Sequence, residues 1–460
     1  APTGFKALQT NNFSEPTIKN GSDHFQVILV TPGIEWTAVS SGGTSGGLGT
    51  HTYQTSFTPS TSNNQDIIFK LSQRVTSVTF DFSQALNTSF WYPGWMVVDD
   101  IETATSWINK AAINTDSNGV ITITDSNPFQ YVKLRSLNNS SGTLTLESVT
   151  PGTDSILTAA QAAFPSGLWW IKDRVNTNQH QLLDSVRGGI QTFQCPSNTN
   201  TTYTAPSGSS VAWCWSAPTA FTGNNSGSIT SSGATNSDAG FSIMKWTADG
   251  TNATIGHNLS SAPEFIIVKG QDSSAFYVWH TSFPATHYQA LNGTFEAFAS
   301  SGVWNNTAPT STTISVGSAA GNAVVGGGDR VCYAWHSVEG YSKFGSYETN
   351  VNSDGPVVYL GFKPSLVIFK SVDEDTSVSW KFADSTRAPV NLATGIRLYA
   401  SSNAAETVHA NETVDFLSNG FKVRGTSNSM NAPNVNQTYL YCAWAESPFG
   451  GKNVPPATAR

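Results

Sequence analysis

The sequence predicts an all-β chain: tandem β-sandwich repeats with one further β-sandwich or jelly-roll domain inserted near the N-terminus. Three observations lead there. Only 12% of the 460 residues are charged, and Ser, Thr, Asn and Gly take most polar positions, a mixture that favours strands and turns over helices. Apolar stretches are short, alternate with a period of two, and are bounded by turn residues. A Pro-apolar-Lys run and a run closing on Trp each occur three times, in alternation.

Taken in order, residues 1–24 read as an extended polar arm, because Pro2, Gly4, Pro16 and Gly21 interrupt any helix. Phe5, Leu8 and Ile18 are isolated apolar anchors. Residues 25–33 (FQVILVTPG) add a first strand and its turn, closing an N-terminal segment of 1–33. The end of that run returns as Val149-Thr150-Pro151-Gly152, which marks 34–149 as an insertion in the loop of a split or duplicated strand position.

The insertion opens on a Gly/Ser tract at 40–50. It then offers short runs at 67–71, 75–82, 95–101, 120–124 and 131–137, spaced as the strands of a separate sandwich or jelly roll. Residues 105–113 have the only pattern compatible with a turn or two of helix.

The repeat follows. Pro165 opens PSGLWWIK, Pro263 opens PEFIIVK and Pro364 opens PSLVIFK. Proline lacks an amide donor and suits the first residue of a strand, while the bulky residues behind it favour burial. Each copy closes on a Trp: VAWCW at Trp215, VCYAW at Trp335 and LYCAW at Trp444. The prolines lie 98 and 101 residues apart, about the length of one two-sheet sandwich of roughly 100 residues. The expected organisation is a first Trp-closed unit at 150–217, a Ser/Gly/Asn linker at 218–240, a second repeat at 241–347, a third at 348–451, and a loose tail at 452–460. Asp184-Ser185-Val186-Arg187 matches Asp384-Ser385-Thr386-Arg387, with His280-Thr281-Ser282 in that place in the second copy. These read as turns in which Arg pairs with the local carboxylate.

Net charge is −8 and the isoelectric point about 5.4. That field attracts neither nucleic acid nor an anionic membrane. No run approaches 18 apolar residues and no export signal is visible, so a soluble chain without membrane insertion is expected. Cys195, Cys214, Cys332 and Cys442 include no C-x-x-C pair, and their staggered places before the Trp positions predict buried free thiols.

Catalytic and cofactor motifs are scarce. Gly43-Thr44-Ser45-Gly46-Gly47 fits the letters of a nucleophile elbow but lacks the strand and helix that strain that turn. Asp99, Asp100 and Glu102, with Asp116 and Asp125 further on, are candidate calcium ligands, solvated turn residues, or a glycosidase pair whose separation a sequence does not fix. His257 and His336 read as hydrogen-bonded structural residues. No enzyme activity and no cofactor is expected. The aromatic run at 90–95, with Trp91, Tyr92 and Trp95, reads as a Pro/Gly turn whose rings either stack on a sugar or are buried at a subunit interface.

Several long phrases resemble a known family. FSIMKWTADGTNATIGHNLSSAPEFIIVK (241–269), YAWHSVEGYSKFGSY (333–347), DFLSNGFKVRG (415–425) and the YLYCAWAESPFGG run from Tyr439 are similar to a repeat domain of tail-fibre and other virion structural proteins of tailed phages, including marine cyanophages. TGFKALQTNNFSEPTIKNGSDHF and WWIKDRVNTNQHQLLDSVRG (169–188) resemble the segment preceding it there. The likeness covers most of 1–30 and 150–451 and interrupts at the insertion, for which the family offers no guide.

The resemblance implies a non-enzymatic virion protein, a tail-fibre or appendage subunit made in the host cytoplasm. Its implied partners are other virion proteins, copies of itself as a homotrimer, and a host-surface glycan or protein. Two alternatives stay open: a tail enzyme that degrades polysaccharide, and an architectural capsid-decoration or filament subunit.

Overall fold

Short apolar runs punctuated by turns fold here into antiparallel sheets throughout. The computed structural model describes residues 16–30, 156–197, 199–206, 208–271, 275–318, 328–373, 378–391, 395–431 and 434–448. Between 31 and 155 it describes strands at 36–41, 49–51, 56–57, 66–82, 91–96, 108–109, 120–136 and 144–151. The chain divides into two compact units, one made of Ala1–Leu29 with Ala160–Arg460, the other Val30–Ala159.

In the larger unit, twelve strands form three sets of four. The first set is β1 (Phe25–Val30), β2 (Gly167–Asp173), β3 (His180–Asp184) and β4 (Ser210–Ser216). The second is β5 (Phe241–Ala248), β6 (Phe265–Gly270), β7 (Tyr277–His280) and β8 (Gly328–Trp335). The third is β9 (Ser342–Glu348), β10 (Phe362–Ser371), β11 (Lys381–Asp384) and β12 (Thr438–Pro448). Each set has the same order: the last strand lies between the first and second, and the third flanks the second.

Register recurs with the order. Leu168, Phe265 and Leu366 stand opposite Trp215, Trp335 and Trp444. On their other side the same residues face Asp184, His280 and Asp384. β2, β6 and β10 are buried along nearly their whole length, which is why they read as continuous apolar runs rather than alternating ones. Pro165 and Pro263 precede their strands, whereas Pro364 sits inside β10 at a break in register. A residue without an amide proton fits at such a bulge.

The lysines that end these runs are buried and donate to main-chain carbonyls: Lys172 Nζ to Asp173 O at 2.6 Å, Lys269 Nζ to Gly270 O at 2.7 Å, Lys370 Nζ to Phe295 O at 2.8 Å. Burial lowers Lys172 to about 8 and Lys370 to about 7.

The three sets share one apolar core, which runs from Ile18 to Ala445. At its centre the closing tryptophans touch one another. Trp215 and Trp335 have ring centroids 5.7 Å apart, Trp215 and Trp444 5.1 Å, and Trp335 and Trp444 5.9 Å, with interplanar angles of 65°, 69° and 71°. Such edge-to-face geometry brings the positive rim of one ring to the negative face of the next. Among the described residues none of the three indole N–H groups has a hydrogen-bond partner, and the ring contacts offset part of that cost. Phe25, Phe241 and Phe344 each pack on the tryptophan of their own set, at 4.9, 4.9 and 5.5 Å.

Polar contacts pass around the sets in one direction. Asp184 of the first accepts a hydrogen bond from Tyr333 of the second at 2.7 Å. His280 of the second donates to Tyr441 O of the third at 3.2 Å, while its Nδ1 accepts from Ser282 N–H. Asp384 of the third accepts from Trp213 Nε1 of the first at 3.1 Å.

Several sequence expectations are corrected. The expected linker at 218–240 contains a hairpin, Thr219–Asn224 with Ser231–Asn236, that extends the sheet of the second set beyond β5. Its small residues permit close strand approach: a Cβ on Gly233 would lie 1.9 Å from Ile243 O. Polar composition signalled solvent, but the backbone hydrogen bonds go to a neighbouring strand. The helix Ile156–Ala163 was not foreseen, although its four alanines favour one. All four cysteines are buried and free, as expected.

In the smaller unit the runs expected at 67–71 and 75–82 are one strand, Asp66–Phe82, whose register shifts between Lys70 and Ser77. It pairs with Val120–Ser136, which in turn pairs with Trp91–Met96. Within the aromatic run expected as a turn at 90–95, residues 91–95 are therefore strand, and Phe90 lies outside the described residues. At 105–113, the described residues are a short strand, Ile108–Asn109.

Replacing Trp444 by Ala is expected to destabilise the larger unit by about 3–5 kcal/mol. Hydrogen exchange should show β4 and β8 losing protection together with β12; loss confined to β9–β12 would mean that the sets are energetically separate.

The histidines predict a pH dependence. Burial holds His180 and His280 neutral down to about 3, against an ordinary 6.5. Unfolding then takes up protons below pH 6.5, so stability is present above that value and is lost as pH falls toward 3, by at most about 1.4 kcal/mol per pH unit for each. Lys172 and Lys370, lowered from 10.5, add stability as pH rises from about 7 toward 10. Calorimetric melts should give a Tm that climbs from pH 5 to pH 9, and a flat or falling series would contradict this.

Candidate functional site

The turn after β3 is held by a buried ion pair. Asp184 Oδ1 accepts the Arg187 amide at 2.8 Å, and Oδ2 accepts Arg187 Nε at 2.6 Å. Arg187 Nη2 donates to Leu182 O at 2.8 Å, and the guanidinium carbon stands 3.6 Å above the centre of the Phe193 ring. The side chains are 3% and 0% exposed. Burial disfavours the Arg187 charge, but Tyr333 and Asp184 outweigh it and raise its pKa. Asp384 and Arg387 repeat the motif in the third set at 2.5 Å, with Arg387 Nη1 also reaching Glu406 Oε2 at 2.9 Å.

Because Asp184 also binds Tyr333 on β8, the clasp fixes the turn against the sheet of the second set. Lys245 Nζ donates to Val186 O at 3.3 Å across the same gap. Between turn and sheet lies a recess of about 380 Å³, within the general size range of small-ligand sites, about 300–1,000 Å³.

Val186, Arg187 and Gln191 form its wall on the turn side. The hairpin contributes Thr230 and Ser232, β5 contributes Lys245 to Thr247, and Gln271 and Asp329 complete the rim. Pairing explains the gathering: Lys245 faces Ser232 on one side, Thr247 faces Asp329 on the other, and the Gln271 amide donates to Asp329 O at 3.0 Å. Thr247 Oγ1 donates to Asp329 Oδ1 at 2.7 Å. Trp246 is buried between the exposed Lys245 and Thr247, so strand alternation turns its indole into the core on the other face of the sheet and leaves the recess no stacking face from it. Gln191, Ser232 and Gln271 make no side-chain hydrogen bond among the described residues.

The Asp–Arg motif of the third set borders a different and smaller space, lined by third-set residues. A cavity of about 40 Å³ remains beside Asp384 and Arg387, narrowed by Val390, Val414 and Phe416. Glu412 at its border binds Lys381 at 2.7 Å, Arg397 at 2.5 Å and Tyr399 at 2.7 Å. Burial alone would raise its carboxyl, but these partners outweigh it and hold it at about 2. That network is internally satisfied and structural.

The sequence-predicted residues fall elsewhere. Trp215, Trp335 and Trp444 are core residues. Trp91, Tyr92 and Trp95 lie on the strand Trp91–Met96, opposite Ser136, Arg135 and Val132. Asp99, Asp100, Glu102 and Asp116 lie outside the described residues, as do Gly43 to Gly47 and the tail at 452–460, while Asp125 lies on the strand Val120–Ser136. His257 Nε2 lies 3.1 Å from Thr310 O and His336 Nδ1 2.9 Å from Ser337 O, in keeping with structural roles. Sequence reading missed the recess because its walls come from segments about 140 residues apart along the chain. The one local signal was the polar interruption Lys245 and Thr247 at the end of an otherwise buried strand.

The chain belongs to the family described as Domain of unknown function (DUF7483), whose match spans residues 192–448. That span includes most of the recess and all of the second and third sets. No curated protein matches. Among solved structures, an f-lectin (fucolectin) from striped bass (Morone saxatilis) serum is similar at 10% identity, covering 70% of this chain and 94% of that one. Its TM-score of 0.16 is too low for the likeness to carry an argument.

Removing one partner of a buried ion pair leaves the other charge uncompensated. Asp184→Asn is therefore expected to cost about 3–5 kcal/mol in urea unfolding, and Tyr333→Phe about 1–3 kcal/mol. Equal, small effects from both would mean that the clasp is not what holds the turn.

Proposed function

We propose that this protein is a non-enzymatic structural component of a tailed-phage particle, a tail-fibre or appendage subunit that attaches the particle to the host surface. The observation that carries the binding part of this reading is the polar recess beside the Asp184–Arg187 clasp. One of its walls is a sheet and the other a turn clamped by a buried ion pair, and a site on such supports is held in a fixed geometry.

Its lining supports binding rather than catalysis. Asp329 is the only carboxylate there among the described residues, and nearby Asp184 is bound by Arg187 and Tyr333. Glycoside hydrolysis in its usual form needs a second available carboxyl group within about 5–9.5 Å. The phage part rests on the sequence resemblance. Copies on one particle, including trimers, would turn a weak single contact into useful avidity.

Fluorescently labelled full-length protein is expected to bind candidate host cells saturably and to release no reducing sugar from host polysaccharide. Binding to purified particles with no affinity for cells would move the assignment to an architectural subunit. Light scattering tests the trimer, which requires three times the 49.0 kDa chain mass.

A further inference from the structure

We propose that the recess between the turn at Val186 and the strand end at Asp329 binds a neutral saccharide unit of the host surface. For its biological setting this rests on the attachment reading. The ligand class is argued from the lining itself.

Charge comes first. Arg187 is engaged with Asp184, which leaves Lys245 and Asp329, on neighbouring strands of the same sheet, as the other charged groups lining the recess among the described residues. An anionic ligand would gain from Lys245 but be opposed by Asp329, and a cationic one the reverse, so neither sign of charge has a net advantage there. A neutral ligand meets neither penalty.

Hydrogen-bonding capacity comes second. The Gln191 and Gln271 amides each provide donors and an acceptor, the Ser232 hydroxyl provides both, and Asp329 Oδ2 accepts. A ligand whose groups both donate and accept matches such a mixture, and vicinal hydroxyls do this at the spacing of neighbouring side chains. Phosphate or carboxylate offers only acceptors.

The apolar part comes third. Val186 lends the recess an apolar border, enough for the C–H edge of a pyranose. Among the described residues lining the recess, no open aromatic plane is available for a nucleobase, since Trp246 is only 4% exposed. Strand pairing of Thr247 with Asp329 and Lys245 with Ser232 fixes the polar groups before binding, which reduces the ordering cost.

The test uses the full-length protein on an array of neutral, sialylated, uronate-bearing and sulfated glycans, with Gln271→Ala and Asp329→Ala measured alongside. Both side chains are exposed, so melts of the variants should match the parent and separate lost binding from lost fold. Binding to at least one neutral glycan is expected, weakened at least tenfold in each variant. Failure to bind any neutral glycan, binding of charged glycans alone, or neutral binding unchanged in both variants would overturn the inference. Cell binding measured with the same preparations separates the two readings. Attachment that free neutral glycan does not compete overturns the saccharide site and leaves attachment standing. Glycan binding without attachment does the reverse.

Discussion

The contact among Trp215, Trp335 and Trp444 is the interaction on which the larger unit depends. Each indole belongs to an inner strand of a four-stranded set, and each is buried against the other two and a phenylalanine of its own set. One set alone would leave a large aromatic surface in water, at roughly 25 cal/mol for every Å² exposed. The sets therefore close on a common core instead of standing as beads along a chain. This is also where much of the high aromatic content goes: the rings fill one interior.

Directional polar contacts add specificity to that closure. Asp184 reaches Tyr333, His280 reaches Tyr441 O, and Asp384 reaches Trp213, so each set presents a polar group to the closing strand of another. Two of the three polar groups are carboxylates engaged by an arginine three residues later, and the third is a neutral histidine. The exchange preserves geometry while changing chemistry, since a buried carboxylate needs a counter-charge and a neutral imidazole does not. In the first set the clasp borders a recess shared with the second set; in the third it borders a small cavity lined within that set by residues including Val390, Val414 and Phe416. A shared scaffold thus carries local differences that depend on a few side chains.

The insertion occupies a connection that the scaffold already contains. β5 joins β6 through residues 249–264, and β9 joins β10 through 349–361, whereas β1 and β2 are separated by residues 31–166. Surface connections tolerate long additions because loop-closure entropy grows only slowly with length. The four-stranded order of the first set is unchanged by the addition.

The sequence by itself determined the strand class, the three Pro-apolar-Lys runs, the Trp closures, the insertion and the Asp–Arg turns. All of these are local patterns: period, turn residues and short-range pairing are written in neighbouring residues. Only the tertiary structure decided that the closing tryptophans meet, that 218–240 adds strands to a sheet, and that Gln191, Lys245 and Asp329 border one recess. Those outcomes depend on which distant backbones hydrogen-bond and on where a polar side chain lies relative to a neighbouring turn. Composition alone does not encode that: the same Ser/Gly/Thr stretch suits a solvated loop or a closely packed hairpin until a partner strand is supplied.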